Sequence, residues 1–220
     1  MDWKRAISRN RDTLREIVAA LFLVARMRIG GSLFTLPRAT LAAVMLVLRP
    51  AESAVRRLIV IAAHGLALST SPRRAEVPGC AGRRGAFPIR AFKLFDPLNS
   101  FDPEAIWDAQ PVYESWYGEG AVIAAPAAAP DDKPVNAAAI GQRLNALMRA
   151  LDDLPRQARR LARWQMKRDA LLKAHRPTRI SPMRPGLPPG WRERPCHEID
   201  LVLRECHGLA NDLLNAPDTG

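Results

Sequence analysis

The residues best suited to chemistry in this sequence are cysteine–histidine pairs, clustered carboxylates and rows of arginine. The two pairs, Cys196-His197 and Cys206-His207, offer ligand types that zinc prefers. On one helix, however, Cys196 and His207 would lie about 16 Å apart, because each residue adds about 1.5 Å. That separation is far beyond a shared coordination sphere, so we predict neither a metal site nor a cofactor.

Carboxylates occur among aromatic residues in the middle of the chain, where Asp108 and Glu114 alternate with tryptophan and tyrosine. Such a grouping can form an acid/base pair, as in sugar-cleaving enzymes, and an enzyme using Asp108 and Glu114 stays open as an alternative. We favour instead a segment whose rings cover apolar helices and whose charges meet arginines. The sequence contains no P-loop, dinucleotide fingerprint or nucleophile elbow, so we assign no catalytic residue.

Arginine gives the strongest chemical signal. The chain has 33 basic and 22 acidic residues, and its net charge of +11 indicates anionic partners. Arginine outnumbers lysine 28 to 5, a bias that a GC-rich bacterial genome produces whatever the function, so the pattern matters more than the total. Residues 136–195 carry 14 basic and 4 acidic side chains, whereas residues 96–135 carry 1 and 8. An acidic middle between basic flanks favours docking within the chain.

Two segments with helical periodicity carry these arginines in rows. The first row decorates the start of an amphipathic helix within residues 3–29, and the second lies within an arc of about 100° on residues 154–175. Such rows can follow lipid headgroups or nucleic-acid phosphates, although a solvated or internally paired face has the same pattern. The predicted contacts to an anionic partner are Arg5, Arg9, Arg11, Arg15, Arg156, Arg159, Arg160, Arg163 and Lys167.

The elements that would position these rows begin with three short apolar runs. The runs cover residues 17–25, 39–48 and 58–68, and arginines separate them. A membrane-spanning helix needs about 20 apolar residues, and extending any run would bury a guanidinium at a cost of about 2.5–3.5 kcal/mol. We therefore expect the runs to be covered by protein or to lie along a lipid surface.

The periodicity predicts an all-α protein with an apolar N-terminal helical hairpin region and C-terminal amphipathic helices, joined by long irregular connections rich in Pro, Gly and Arg. The glycine pair at residues 30–31 should end the first helix. Pro50 should separate a second helix from a third, giving a hairpin or a kinked pair. Asp153 and Pro155 should restart the chain as the basic helix.

Three regions follow from this pattern. Residues 1–69 form an apolar and basic helical region, and residues 70–135 an irregular acidic-aromatic segment with an Ala/Pro linker. Residues 136–220 form an amphipathic helical region, which includes the basic helix 154–175 and an acidic terminal helix 196–214. Three scattered cysteines are too few for a disulfide framework, which favours the cytoplasm.

Together these features favour a non-catalytic binding or scaffold protein associated with the cytoplasmic face of the inner membrane, through apolar N-terminal helices and arginine clusters. The expected partner is an anionic lipid surface or an acidic protein face. The alternative is a nucleic-acid-associated protein that contacts phosphates through the basic face of residues 156–167. The sequence gives no indication of the oligomeric state.

Overall fold

The structure is a computed structural model that describes residues 3–64, 66, 90–97, 133–176 and 178–215. It is all-α, as predicted, and a two-stranded sheet accompanies the helices. The helices are α1 (Trp3–Val24), α2 (Arg38–Ala63), α3 (Ala138–Asp152), α4 (Leu154–Lys173) and α5 (Glu198–Asn215). Strands β1 (Thr35–Pro37) and β2 (Pro134–Asn136) pair antiparallel, with Leu36 opposite Val135.

Helix α2 lies at the centre and packs against the other four helices. Its sequence is apolar almost all round, and such a helix must be covered on most sides. From Ala51 to Ile61 every residue except Glu52 is buried. The buried apolar side chains of all five helices form one cluster, so the N-terminal and C-terminal parts of the chain share a core.

Residues 38–63 form one continuous helix, and the predicted break at Pro50 is wrong. Proline inside a helix costs about 3 kcal/mol, because it has no N–H and its ring crowds the carbonyl four residues earlier. That carbonyl is Leu46 O, and Arg192 Nη2 donates a hydrogen bond to it over 2.8 Å. A side chain from a distant segment therefore replaces the missing backbone donor.

The loop of residues 188–192 covers the proline. Ser53 Oγ donates to Pro189 O over 2.7 Å, which ties the loop to α2. Gly190 has a φ of +83°, and a Cβ added to it would lie 2.7 Å from Pro50 N. Glycine is required here both for the backbone conformation and for the close approach to α2.

Helix α1 ends before the glycine pair at residues 30–31, which the sequence predicted as its stop. Arg26 adopts a left-handed φ of +51° and turns the chain out of the helix. Met27 N donates to Phe22 O and Arg26 N donates to Leu23 O, each over 2.9 Å. These two bonds form a Schellman motif, in which glycine usually occupies the position that Arg26 holds.

Helix α4 matches the predicted basic helix at its start and ends in the same motif as α1. Asp153 accepts a hydrogen bond from Arg156 N over 3.1 Å, as expected of a capping aspartate. At the other end His175 has a φ of +51°, and its N–H donates to Leu172 O over 2.9 Å. A basic residue thus replaces the usual glycine in both helices.

Candidate anion-binding surfaces

The predicted arginine row on α1 lies mostly beside carboxylates. Arg5 is exposed near the start of the helix, and the other three members form ion pairs. These pairs are Arg9–Glu205, Arg11–Asp12 at 3.0 Å and Arg15–Asp152 at 3.1 Å. Exposed ion pairs contribute about 0–1 kcal/mol, so they add little stability but neutralise much of the local positive charge.

The apolar face of α1 is covered by protein. Leu14, Ile17, Val18 and Leu21 are at most 4% exposed, and α1 packs on α2 and α3. The row of apolar residues that suggested an interfacial helix therefore forms part of the core. Apolar contact with a lipid surface would have to come from other residues of the N-terminal region.

Such residues occur at the end of α1 and on the connection to β1, residues 25–34. Leu23, Ile29 and Phe34 are 79%, 63% and 64% exposed, and we refer to them as the apolar edge. Arg26 and Arg28 are exposed between them. The sequence has no carboxylate between residues 16 and 52, so no acidic residue of this stretch offsets the two arginines.

Hydrogen bonds and side-chain packing hold this connection against α3. Asn145 accepts a hydrogen bond from Gly30 N over 2.7 Å and donates one to Gly31 O over 2.8 Å. Further along, a Cβ on Gly141 would lie 2.7 Å from the Cβ of Leu33. The buried side chain of Leu33 therefore packs tightly onto α3, while the apolar edge faces away from the core.

The second predicted row, on α4, forms an exposed surface that we call the α4 basic face. Its members are Arg156, Arg159, Arg160, Arg163 and Lys167, and all five are exposed. The opposite side of the helix, with Leu154, Ala158 and Leu161, is buried. In the described part of the chain no carboxylate lies within 4 Å of these cations, whereas Arg160 Nη1 donates to Phe92 O over 2.9 Å.

Sequence reasoning missed a buried charge cluster on α2. Arg57 Nη2 lies 2.9 Å from Asp96 Oδ2, and both side chains are fully buried. Arg56 Nη1 approaches the other carboxylate oxygen at 3.4 Å. Burial lowers the pKa of Arg57, and the attraction of Asp96 opposes that shift.

The same arginine contacts α5 through His207. Arg57 Nε donates to His207 Nδ1 over 3.2 Å, which requires a neutral imidazole with its proton on Nε2. Burial and then the positive charge of Arg57 lower the pKa of His207, and Asp96 acts weakly in the other direction. The hydrogen bond and the pKa shift therefore agree that His207 is neutral near pH 7.

Asp96 also organises the backbone around it. Its N–H donates to Pro182 O over 3.0 Å, and its carboxylate accepts from Arg184 N over 3.3 Å. Asp96 is the first residue of the acidic block 96–135, whose docking onto the basic flanks was predicted from the charge pattern. At this one residue the structure shows such docking.

A second, partly buried carboxylate is shared between arginines. Glu52 pairs with Arg56 at 3.2 Å and with Arg143 on α3 at 2.8 Å. The pKa of the neighbouring Arg49 is lowered first by burial and then by Arg143, while Glu52 opposes the shift. Glu52 therefore links α2 to α3 and offsets three guanidinium groups.

The two cysteines of the C-terminal segment, one just before α5 and one within it, differ in chemistry. Cys196 is exposed, whereas Cys206 is fully buried, and burial raises the pKa of its thiol to about 12. Within the residues that the structure describes, no three His, Cys, Asp or Glu side chains are grouped closely enough to hold a metal. Asp108 and Glu114, the carboxylates of the enzyme alternative, lie outside the described residues.

A wide, open depression of about 290 Å³ lies between α1 and α3. It is lined by Arg15, Glu16, Ala19, Ile29, Met148 and Asp152. Arg15 and Asp152 on its wall form an ion pair with each other, and the depression is open to solvent. The depression is therefore a poor candidate for a catalytic pocket.

Among the described helices, none combines the length and the apolarity needed to cross a bilayer. Comparisons with protein-family models, curated proteins and solved structures find no match to this chain.

Proposed function

We propose that this chain is a non-catalytic binding or scaffold protein that attaches peripherally to an anionic lipid surface, such as the cytoplasmic face of an inner membrane. The observation that carries the proposal is the apolar edge. Leu23, Ile29 and Phe34 are 63–79% exposed, and Arg26 and Arg28 lie between them on a connection fixed to α3.

The energetics favour two kinds of contact acting together. Each large apolar side chain contributes about 1.5–3 kcal/mol when fully removed from water, and partial insertion yields part of that. Each arginine near an anionic membrane adds about 1 kcal/mol. Neither contribution alone holds a protein of this size on a membrane, but together they support reversible attachment.

The backbone at Arg26 gives additional support. A left-handed φ costs an L-residue about 1–2 kcal/mol, and glycine would adopt it without strain. An arginine at this position therefore provides a charge at the expense of local stability. The guanidinium of Arg26 is exposed and can therefore contact a headgroup phosphate.

Vesicle sedimentation tests the proposal. The wild-type chain should bind vesicles that contain phosphatidylglycerol more strongly than pure phosphatidylcholine vesicles, and salt should weaken the binding. The double variant Arg26→Gln/Arg28→Gln should reduce partitioning about 30-fold, since two lost charges correspond to about 2 kcal/mol. The double variant Ile29→Ser/Phe34→Ser should reduce it to both vesicle types.

Matched controls use residues of the same kind on other surfaces. Arg194→Gln removes an exposed charge, and Ile180→Ser removes an apolar side chain that is 70% exposed. Both should partition like the wild type. Equal binding to neutral and anionic vesicles would overturn the proposed preference for an anionic surface. Equal losses in the control and test variants would show that the apolar edge is not the attachment site.

A second candidate function is nucleic-acid association through the α4 basic face. The specific observation in its favour is the row of exposed cations without carboxylate partners in the described part of the chain. Neutralising phosphates with n cations should make log affinity fall with log salt at a slope of about −0.9n. Alanine at all five positions of the α4 basic face should abolish binding of duplex DNA, and unchanged binding would exclude this function.

A further inference from the structure

Helix α5 carries an exposed face that is opposite in charge to the α4 basic face. Its residues alternate at spacings of three and four, which places them on one side of a helix. We call this side the α5 acidic stripe, and its members are Glu198, Leu201, Glu205, Gly208 and Asp212. The three carboxylates recur every seven residues and span about 21 Å at 1.5 Å per residue.

Four of the five residues of the stripe are exposed, and Glu205 is partly exposed. Leu201 is 58% exposed, and a Cβ on Gly208 would meet no atom within 4 Å. Glu198 and Asp212 are exposed and have no cation within 4 Å in the described part of the chain, whereas Glu205 pairs with Arg9. Two carboxylates without a cation partner in the described part of the chain thus flank an exposed leucine and an open position at Gly208.

The α4 basic face has the same seven-residue spacing over a somewhat shorter length. Arg156 and Arg163 are seven residues apart, as are Arg160 and Lys167, and the face extends for about 16 Å. Both faces therefore repeat with the seven-residue period at which helices pair side by side. They cannot meet within one chain, because α4 and α5 both pack on α2 and make few or no contacts with each other.

We infer that the α4 basic face of one chain binds the α5 acidic stripe of a second copy, so that the protein self-associates through complementary helices. This contact is separate from the apolar edge, and the inference goes beyond the proposed lipid attachment. The opposite charges bring the helices together, and Leu201 with the gap over Gly208 gives the contact an apolar centre.

The overall charge of +11 does not prevent such a contact. At about 0.15 M salt the Debye length is about 8 Å, so charges elsewhere on the two copies are largely screened while charges in contact are not. A contact formed by one helix on each side buries less area than a standard interface. We therefore expect weak association, with a dissociation constant of about 10–100 µM, which salt weakens further.

Charge exchange between the two faces provides the test. One variant combines Arg156→Glu, Arg163→Glu and Lys167→Glu on α4, and the other combines Glu198→Lys and Asp212→Lys on α5. Each variant alone should remain monomeric in sedimentation velocity at concentrations where the wild type associates. An equimolar mixture should associate again, because the unchanged α5 acidic stripe of the first variant meets the unchanged α4 basic face of the second, and the two reversed faces also attract each other.

The double variant Arg26→Glu/Arg28→Glu is a matched control, since it reverses charge on the apolar edge and leaves both helical faces intact. It should associate like the wild type while losing vesicle binding, so failure of this inference and failure of the lipid proposal are distinguishable. Circular dichroism of each variant checks that it is folded.

Three outcomes would overturn the inference: a wild type that stays monomeric up to about ten times the expected dissociation constant, association that survives either folded variant, or a mixture that stays monomeric. A monomeric wild type that binds duplex DNA through α4 would assign that face to nucleic acid instead.

Discussion

Arginine serves opposite purposes in α2 and α4. On α2, Arg56 and Arg57 are buried, and Asp96 arrives from a separate segment to neutralise them. On α4, five cations are exposed on one face, and the described part of the chain brings no carboxylate to them. Both helices carry closely spaced arginines. Those of α2 hold buried segments together, whereas those of α4 are exposed and meet no carboxylate in the described part of the chain.

Whether an arginine stabilises the fold depends on whether another segment of the chain places a carboxylate beside it. A buried guanidinium without a carboxylate costs several kcal/mol, so α2 depends on residues 90–97 being in place. An exposed guanidinium costs almost nothing, so α4 keeps its charges without support. Mutations in the α2 cluster should therefore lower the free energy of unfolding far more than mutations on the α4 basic face.

The largest effect is expected at Asp96. Asp96→Asn should lower the free energy of unfolding by about 3–5 kcal/mol, because Arg57 would be left as an unpaired buried charge. Urea unfolding followed by far-UV circular dichroism measures the change. The matched control is Asp169→Asn, which breaks an exposed pair with Arg168 and should cost at most about 0.5 kcal/mol. Similar losses in the two variants would contradict the distinction between buried and exposed pairs.

The next effect concerns the loop that keeps α2 continuous. Gly190→Ala should cost at least about 2–3 kcal/mol, because it adds a contact of 2.7 Å with Pro50 N to the strain of a positive φ. Gly186→Ala is a close control, since Gly186 has a φ of +78° but open space around it. It should cost only about 1 kcal/mol. Equal losses in unfolding experiments would mean that the loop does not press on α2.

Acid should weaken the α2 cluster through His207. The pKa of this imidazole is lowered in the folded state, first by burial and then by Arg57. The folded protein therefore binds fewer protons than the unfolded chain, so stability is full above about pH 6.5 and falls as the pH drops below it. The loss should reach at most about 1.4 kcal/mol per pH unit for one proton.

The control for this prediction is His207→Gln, measured by urea unfolding at several pH values. The pKa of His197 is also lowered by burial, and that contribution persists in the variant. The difference between the wild type and the variant should therefore isolate His207. If the free energy of unfolding changes with pH in the same way in both proteins, His207 does not cause the loss of stability in acid.

The smallest effect is expected on α4. Arg156→Gln, Arg163→Gln and Lys167→Gln should each change the free energy of unfolding by less than about 0.5 kcal/mol, because these side chains have no charged partner in the described structure. The same urea experiment applies. A loss of more than about 1 kcal/mol would show that the face contributes to the fold and would remove the contrast with α2.

Local patterns were enough to predict the all-α class and the position of the basic helix. The period of the apolar residues indicates the helical segments, although α2 was predicted as two helices, and Asp153 followed by Pro155 marks the start of α4. The predicted exposure of the α4 row also follows from periodicity alone. Which partner meets that row is still a prediction.

Contacts between residues far apart in the chain could not be predicted from the sequence. Nothing near Pro50 indicates that Arg192, 146 residues from Leu46, completes the helix. The same holds for the burial of Arg57, whose partner lies 39 residues away. At the end of α1 the usual rule, glycine at the turn, gave the wrong stop because Arg26 takes the left-handed conformation itself.

The bond from Arg192 to Leu46 also bears on how the chain matures during translation. A ribosome releases α2 long before it adds the residues that seal the proline site, so the central helix emerges without its final support. Until the segment that carries Arg192 has emerged, the carbonyl of Leu46 lacks its hydrogen-bond donor and the apolar sides of α2 are uncovered. Such a chain can be bound by chaperones, and a chain truncated ahead of Arg192 would never complete this hydrogen bond.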